Sequence, residues 1–185
     1  DTWMSVFPDT VQPREAIPES LEEHLRYPED MFKVQRYQLA KYHVTDAGEF
    51  YSANNRWEVP EDPTVSGRQV FQPPYRLFST GVDGTNDWSL TSVFVPRGKG
   101  TLASYLQVNS DATSPEFGKP KLLEMVNQNT PGPGQVANQM QQEKAVVDAL
   151  TPYRVPGATP PRFGNLLTLP VDNGLIYIQP VYAVR

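Results

Sequence analysis

Residues 88–95 read WSLTSVFV, and in an extended chain Trp88, Leu90, Ser92 and Phe94 fall on one face. Period-two alternation in a β-branched and aromatic run predicts a strand. Its neighbours follow the same pattern. Pro96-Arg97-Gly98-Lys99-Gly100 makes a loop, after which GTLASYLQVNSD sets Leu102, Ser104, Leu106 and Val108 against Ala103, Tyr105 and Gln107. KLLEMVNQ is a third candidate strand, and upstream Val70-Phe71 and Tyr75–Phe78 flank a Pro-Pro break. At the far end, NLLTLPVDNGLIYIQPVYAV has two apolar runs around Asp172-Asn173-Gly174. Asn-Gly supplies the positive φ values of a tight turn, so a hairpin is expected over 165–184. Pro170 and Pro180 lack ladder donors and belong near strand ends or with the nitrogen facing outward.

Helical patterning surrounds these strands. Residues 1–18 carry Pro8, Pro13 and Pro18 without a sustained period, and read as an extended arm. Ser20-Leu21-Glu22-Glu23 matches a capping box opening a short helix that Pro28 closes. Pro28 then suits the first turn of a second helix over about 28–43, with Glu29 and Asp30 at its positive end. At 100° per residue, Met31, Phe32, Val34, Gln35, Gln38, Leu39 and Tyr42 share one arc, with Lys33, Arg36, Ala40 and His43 opposite. Asp46-Ala47-Gly48 ends that helix, and Glu49-Phe50-Tyr51 begins another turn. GPGQVANQMQQEKAVVDAL, 132–150, reads as a helix with Val136, Met140, Val147 and Leu150 on or near one stripe. The pattern is one α+β domain over 1–185: a helical part at 19–51, mostly strands at 56–127, helix 132–150 and the C-terminal hairpin. A predominantly antiparallel sheet of about four to six strands, with the helices packed on it, is the expected architecture.

Composition narrows the function. The chain has 185 residues, 38% hydrophobic and 20% charged, enough for a sizeable core. No stretch approaches the roughly 18 apolar residues of a membrane span, and no charged n-region precedes an apolar one, so neither a span nor a signal peptide is expected. Net charge is −5, and the basic residues are scattered. The longest basic run, Arg97-Gly98-Lys99, does not make a phosphate-tracking stripe, so nucleic acid is not an expected partner. There is no cysteine, which removes disulfides, thiolate nucleophiles and Cys-based zinc sites. Nineteen prolines favour short elements joined by rigid connectors.

Candidate chemistry is sparse. His24 and His43 are nineteen positions apart with no His-x-x-x-His pair, so no metal is expected. His24 shares a helical face with Leu21 and Leu25 and is expected to be buried; His43 is expected on the polar face near Lys33 and Lys41. Asp83-Gly84-Thr85-Asn86-Asp87 resembles a calcium loop but puts Trp88 at the glycine position and Phe94 at the bidentate glutamate position, so a solvated turn with at most adventitious calcium is expected. Gly132-Pro133-Gly134 precedes a helix without the lysine of a phosphate loop. No Gly-x-Ser-x-Gly elbow is present. Scattered carboxylates, Glu22 to Asp62, offer pairs for hydrolysis only if the fold converges them. The aromatics Tyr37, Tyr42, Phe50, Tyr51, Trp57, Phe71 and Tyr75 form either a stacking surface for a sugar or peptide or the seam between helices and sheet, the seam being favoured.

Several blocks resemble uncharacterised protein family 0182: HLRYPEDMFKVQRYQLAKYHVTDAGEFY, QPPYRL, LTSVFVPRG, GPGQVAN and GNLLTLPVDNGLIYIQPVYAV. They occur in order across nearly the whole chain, while NSDATSPEFGKPK and PYRVPGATPPRF match poorly. The resemblance implies a large integral membrane protein, found especially in actinobacteria, with several spans N-terminal to this piece and a large extracytoplasmic region containing it. It carries no activity, cofactor or catalytic residue. The expected role is that of an extracytoplasmic structural or interaction module at the cell membrane. Its partners would be other envelope proteins or the rest of its own chain. A glycan- or peptide-binding module is the alternative, and an envelope hydrolase with paired carboxylates the third; the reading leans away from catalysis.

Overall fold

The structure, a computed structural model, describes residues 2–183 except 66, 68, 128 and 173. In chain order the helices are α1 (Thr2–Val6), α2 (Glu19–Glu22), α3 (Glu29–Tyr42), α4 (Ala47–Ser52), α5 (Pro133–Gln142) and α6 (Lys144–Leu150). The strands are β1 (Trp57–Glu58), β2 (Tyr75–Thr80), β3 (Asn86–Pro96), β4 (Ser104–Asn109), β5 (Pro120–Glu124), β6 (Arg162–Phe163), β7 (Leu167–Val171), β8 (Gly174–Ile178) and β9 (Val181–Tyr182). The alternating stretch WSLTSVFV lies within β3, the hub of a five-stranded antiparallel sheet. β4 pairs along one side of β3, while β2 and β1 share the other; β5 closes the far edge by pairing with β4. The chain is α+β.

Both faces of this sheet are covered, which explains why β3 is buried without a break from Ser89 to Val95. On one face Leu90, Phe94, Leu106 and Val108 cluster with Tyr27 and with Phe32 and Ala40 of α3. On the other, Val93, Leu102 and Tyr105 pack against Val82, Leu123, Met125 and Leu175, the last from the β7–β8 hairpin. That second face also buries polar side chains, of which Ser89 and Gln107 are paired with each other. Gln107 Nε2 donates to Ser89 Oγ at 2.7 Å, and the Val82 amide donates to Gln107 Oε1 at 2.9 Å. A buried polar pair of this kind is tolerated because each member has its partner.

Several local expectations need correction. Residues 1–18 are not uniformly extended: α1 fills the proline-free run before Pro8, with Trp3 stacked on Phe7 one turn later. Ser20 does not cap α2. Pro18 occupies the cap and its carbonyl accepts from the Leu21 amide, so Ser20 falls inside the first turn. α3 is rotated from the expected arc: Phe32 and Ala40 are buried and Arg36, Leu39 and His43 partly so, while Met31, Val34 and Tyr42 face outward. Arg36 can lie on the inner side because its guanidinium donates to the Gln72 carbonyl and to Ser92 Oγ.

The helix expected over 132–150 is broken at Glu143, whose ψ of 129° is extended. Continuing the stripe Val136–Met140 by three or four residues would place Glu143 and Lys144 against the core, and the break avoids burying that pair of charges. The hairpin is formed, with Val171 paired to Gly174. Asp172 has a φ of 48°, Gly174 belongs to β8, and Asn173, on which half of the Asn-Gly expectation falls, lies outside the described residues. β9 does not continue the hairpin but pairs back to β6. Val70-Phe71 makes only an isolated bridge, Glu61 to Phe71.

Candidate functional site

The aromatics are gathered by two chain reversals. Asp46 caps α4 by accepting from the Glu49 amide at 2.8 Å, and Ala53 ends it at φ 60°. The chain then returns beneath the end of α3, and His43 stacks on Trp57 with ring centroids 3.6 Å apart. His43 Nδ1 lies 3.0 Å from the Leu39 carbonyl and Nε2 3.0 Å from the Asn55 carbonyl, so a neutral ring donates to one of these two acceptors according to its tautomer. Trp57 continues inward to Phe94 at 5.6 Å. It is the seam between helices and sheet.

Outside the seam is a ledge. Phe50 stacks on Tyr42 at 5.6 Å, meets Tyr51 edge-on at 5.8 Å and has the Arg56 guanidinium 5.4 Å from its centroid. Tyr42 is 64% and Tyr51 84% exposed. Tyr37 also faces solvent, on another side of α3, where the Lys41 ammonium donates to its hydroxyl and lowers its pKa. Tyr75 is elsewhere. It starts β2, and its buried hydroxyl, which has no hydrogen-bond partner, is pushed up to about 12, mainly by desolvation. Phe71 is half-exposed at its isolated bridge. The sequence-predicted set therefore divides into a ledge of Tyr42, Phe50 and Tyr51, a seam at Trp57, and three separate residues.

The other candidates resolve into architecture. His24 is exposed, contrary to the expected burial, because α2 ends at Glu22 before its face can extend that far. Asp83 accepts from Thr85 Oγ1 at 2.7 Å and pairs with Lys121, while Asp87 accepts from Asn109 Nδ2 at 3.0 Å. Those partners, Lys121 first, hold the Asp83 carboxyl well below the usual carboxylate range. No group of three His, Cys, Asp or Glu able to hold a metal occurs among the described residues. Gly132 allows a close approach: its amide donates to the Gly100 carbonyl at 3.0 Å, where a Cβ would stand 2.3 Å from that oxygen.

One feature escaped sequence reasoning. A cleft of about 1080 Å³ opens between the end of β5, the turn at Gly81–Gly84, α5 and the β7–β8 hairpin. The hairpin is tied to the α5 entry by Tyr177 Oη donating to the Pro131 carbonyl at 2.7 Å. Only the packing of segments some fifty positions apart creates this space, and no local pattern announces it. No helix among the described residues is long and apolar enough to cross a membrane.

Comparison with known proteins places these observations. The sequence model of the Uncharacterised protein family (UPF0182) matches residues 1–153. A UPF0182 protein of a Nocardioides species is 53% identical over 184 residues, covering 99% of this chain and 18% of that relative. UPF0182 proteins of Thermobifida fusca and Saccharopolyspora erythraea are each 42% identical, over 98% and 99% of this chain and 18% and 19% of their own lengths. The chain thus spans less than a fifth of the length of these relatives. The β7–β8 hairpin lies beyond the family match but within the stretches shared with the relatives. No solved structure matches.

Proposed function

The chain belongs to the Uncharacterised protein family (UPF0182), and from that premise we propose that it is an interaction module of a larger cell-envelope membrane protein, exposed on the extracytoplasmic side. The observation that carries this reading is the outer surface of α3 and α4. α3 is anchored inward through Phe32 and Ala40, yet Met31, Val34 and Tyr42 are half or more exposed opposite, beside Tyr51. Isolated exposed apolar residues need no explanation, but an exposed aromatic cluster at the end of a helix that also leaves Met31 and Val34 uncovered is what a docking surface looks like. Tyrosine rings of this kind are typical anchors of protein interfaces. The occupant is another envelope protein or the remaining part of the parent chain.

A second reading is favoured by the Tyr42–Phe50 stack alone: the ledge is a platform for an envelope sugar ring or peptide. Purification of the full-length protein from detergent-solubilised membranes separates the two. A defined complex should be recovered with the wild type and lost with Tyr42→Ser/Tyr51→Ser at an unchanged thermal midpoint. A complex indifferent to these substitutions overturns the docking reading, and saturable binding of an envelope glycan or peptide that the same variant abolishes establishes the second. The side of the membrane is tested by Asn54→Cys at an exposed position in this cysteine-free stretch. A membrane-impermeant maleimide should label it in intact cells; labelling only after lysis overturns the extracytoplasmic assignment.

A further inference from the structure

The cleft beside the hairpin has one wall with an unfinished hydrogen-bond pattern. β5 is the last strand of the five-stranded sheet, and among the described residues no strand pairs with its outer side. The Met125 amide donates to the Ala103 carbonyl at 2.9 Å, so Met125 faces β4. Antiparallel strands alternate strictly, and Leu123 and Lys121 therefore also turn their backbone groups toward β4. Leu122 and Glu124 turn theirs away from it. Pro120 falls on the same outward parity, where a missing donor costs the sheet nothing.

The remaining walls suit an extended chain rather than a compact ligand. The volume of about 1080 Å³ exceeds the usual range for a small-molecule site. Val126 on its rim is 100% exposed and Ile176 on the hairpin wall 46%, so apolar side chains wait uncovered on opposite sides. The charged residues in its described lining are Glu124 and Asp172, both carboxylates. An edge strand with free amides and carbonyls, flanked by apolar side chains and negative charge, is complementary to an extended segment that carries positive charge. More than four-fifths of the length of the relatives lies outside the part that this chain matches, and that length is a covalently linked source of such a segment.

We propose that this cleft receives an extended, lysine- or arginine-bearing segment of the same polypeptide, from outside these 185 residues, which adds as a further strand to the free edge of β5. The surface is distinct from the aromatic ledge, and the two readings stand or fall separately. The test uses the full-length protein in detergent, with benzoylphenylalanine placed at Val126 or at Ile176 and cross-linked peptides mapped after irradiation. Both positions should capture one common segment of the parent chain, bearing a lysine or arginine. Glu124→Pro removes one outward donor without touching the bond to β4 and should lower the yield about tenfold, the loss of one peptide hydrogen bond. Glu124→Gln, which keeps that donor, should lower it less, and Tyr42→Ser/Tyr51→Ser should leave it unchanged. Hydrogen exchange of the unsubstituted protein adds a readout that needs no variant: the Leu122 and Glu124 amides should be protected. Cross-links to another polypeptide or to lipid, cross-links scattered over several segments, or free exchange at both amides would overturn the proposal.

Discussion

Asp83 shows how a residue that looks like a ligand becomes a staple. Its carboxylate accepts from Thr85 within the turn and pairs with Lys121 on β5, so the turn at 81–85 is held against the sheet edge. A carboxyl held below its unfolded value, about 4, stabilises the fold above that pH and loses the effect as pH falls through the folded value. The side chain is about a third exposed, and screening by water limits the gain. Asp83→Asn should lower the thermal midpoint at neutral pH, and the gap to the wild type should narrow progressively below about pH 4. A gap that stays constant from pH 7 to pH 2 would mean that the carboxylate charge contributes nothing. The departure of this loop from the calcium-loop pattern was legible from the sequence, with Trp88 at the glycine position and Phe94 at that of the bidentate glutamate. The place of His43 was not. Helical spacing set it among lysines, but Trp57, fourteen positions on in the sequence, supplies the face on which it stacks.

Elements with a period of two were read well, and those with a helical period less so. β3 and β4 carry alternation strong enough to place them within a residue or two, because Leu90, Phe94, Leu106 and Val108 recur on the α3 face while Ser89, Thr91 and Gln107 fall on the other. α3 was found, but its rotation was not, because Arg36 looks solvent-facing until Gln72 and Ser92 appear beneath it. α5 and α6 share a stripe that looked continuous, and the charges at Glu143 and Lys144 that interrupt it were the overlooked signal. The hairpin was legible from its turn residues, and Asp172 within that turn has a positive φ. That position gives a test of the element. Valine in the left-handed region costs about 1–2 kcal/mol, whereas glycine enters it freely. Asp172→Val should therefore speed hydrogen exchange of the β8 amides about tenfold or more, and Asp172→Gly should leave it unchanged or slow it. Equal effects of the two substitutions would show that the turn does not limit hairpin stability.

At the scale of the whole molecule, the sheet is held by two unlike layers. The α3 side joins Leu90, Phe94, Leu106 and Val108 to Phe32, Ala40 and Tyr27, with Trp57 and Leu122 packed against them. The hairpin side joins a smaller apolar set, Val93, Leu102 and Tyr105, and adds the buried polar residues Ser89, Thr91, Gln107 and Thr168. It also borders the open cleft, so much of the hairpin's surface has no protein neighbour within these residues. Apolar burial sets most of the free energy with which a layer resists opening, and polar contacts replaced by water add little net. The hairpin layer should therefore open as a unit below the global unfolding free energy, while β3 and β4 stay closed. Native-state hydrogen exchange at rising urea is the measurement. The β7 and β8 amides should merge into one isotherm at low denaturant, with the β3 and β4 amides reaching the global limit separately. In the full-length protein, an additional strand beside β5 should raise the hairpin isotherm toward that limit, because the cleft that exposes Ile176 and Leu175 would then be covered. Hairpin amides that exchange with β3 from the start would show instead that the two layers are a single cooperative unit.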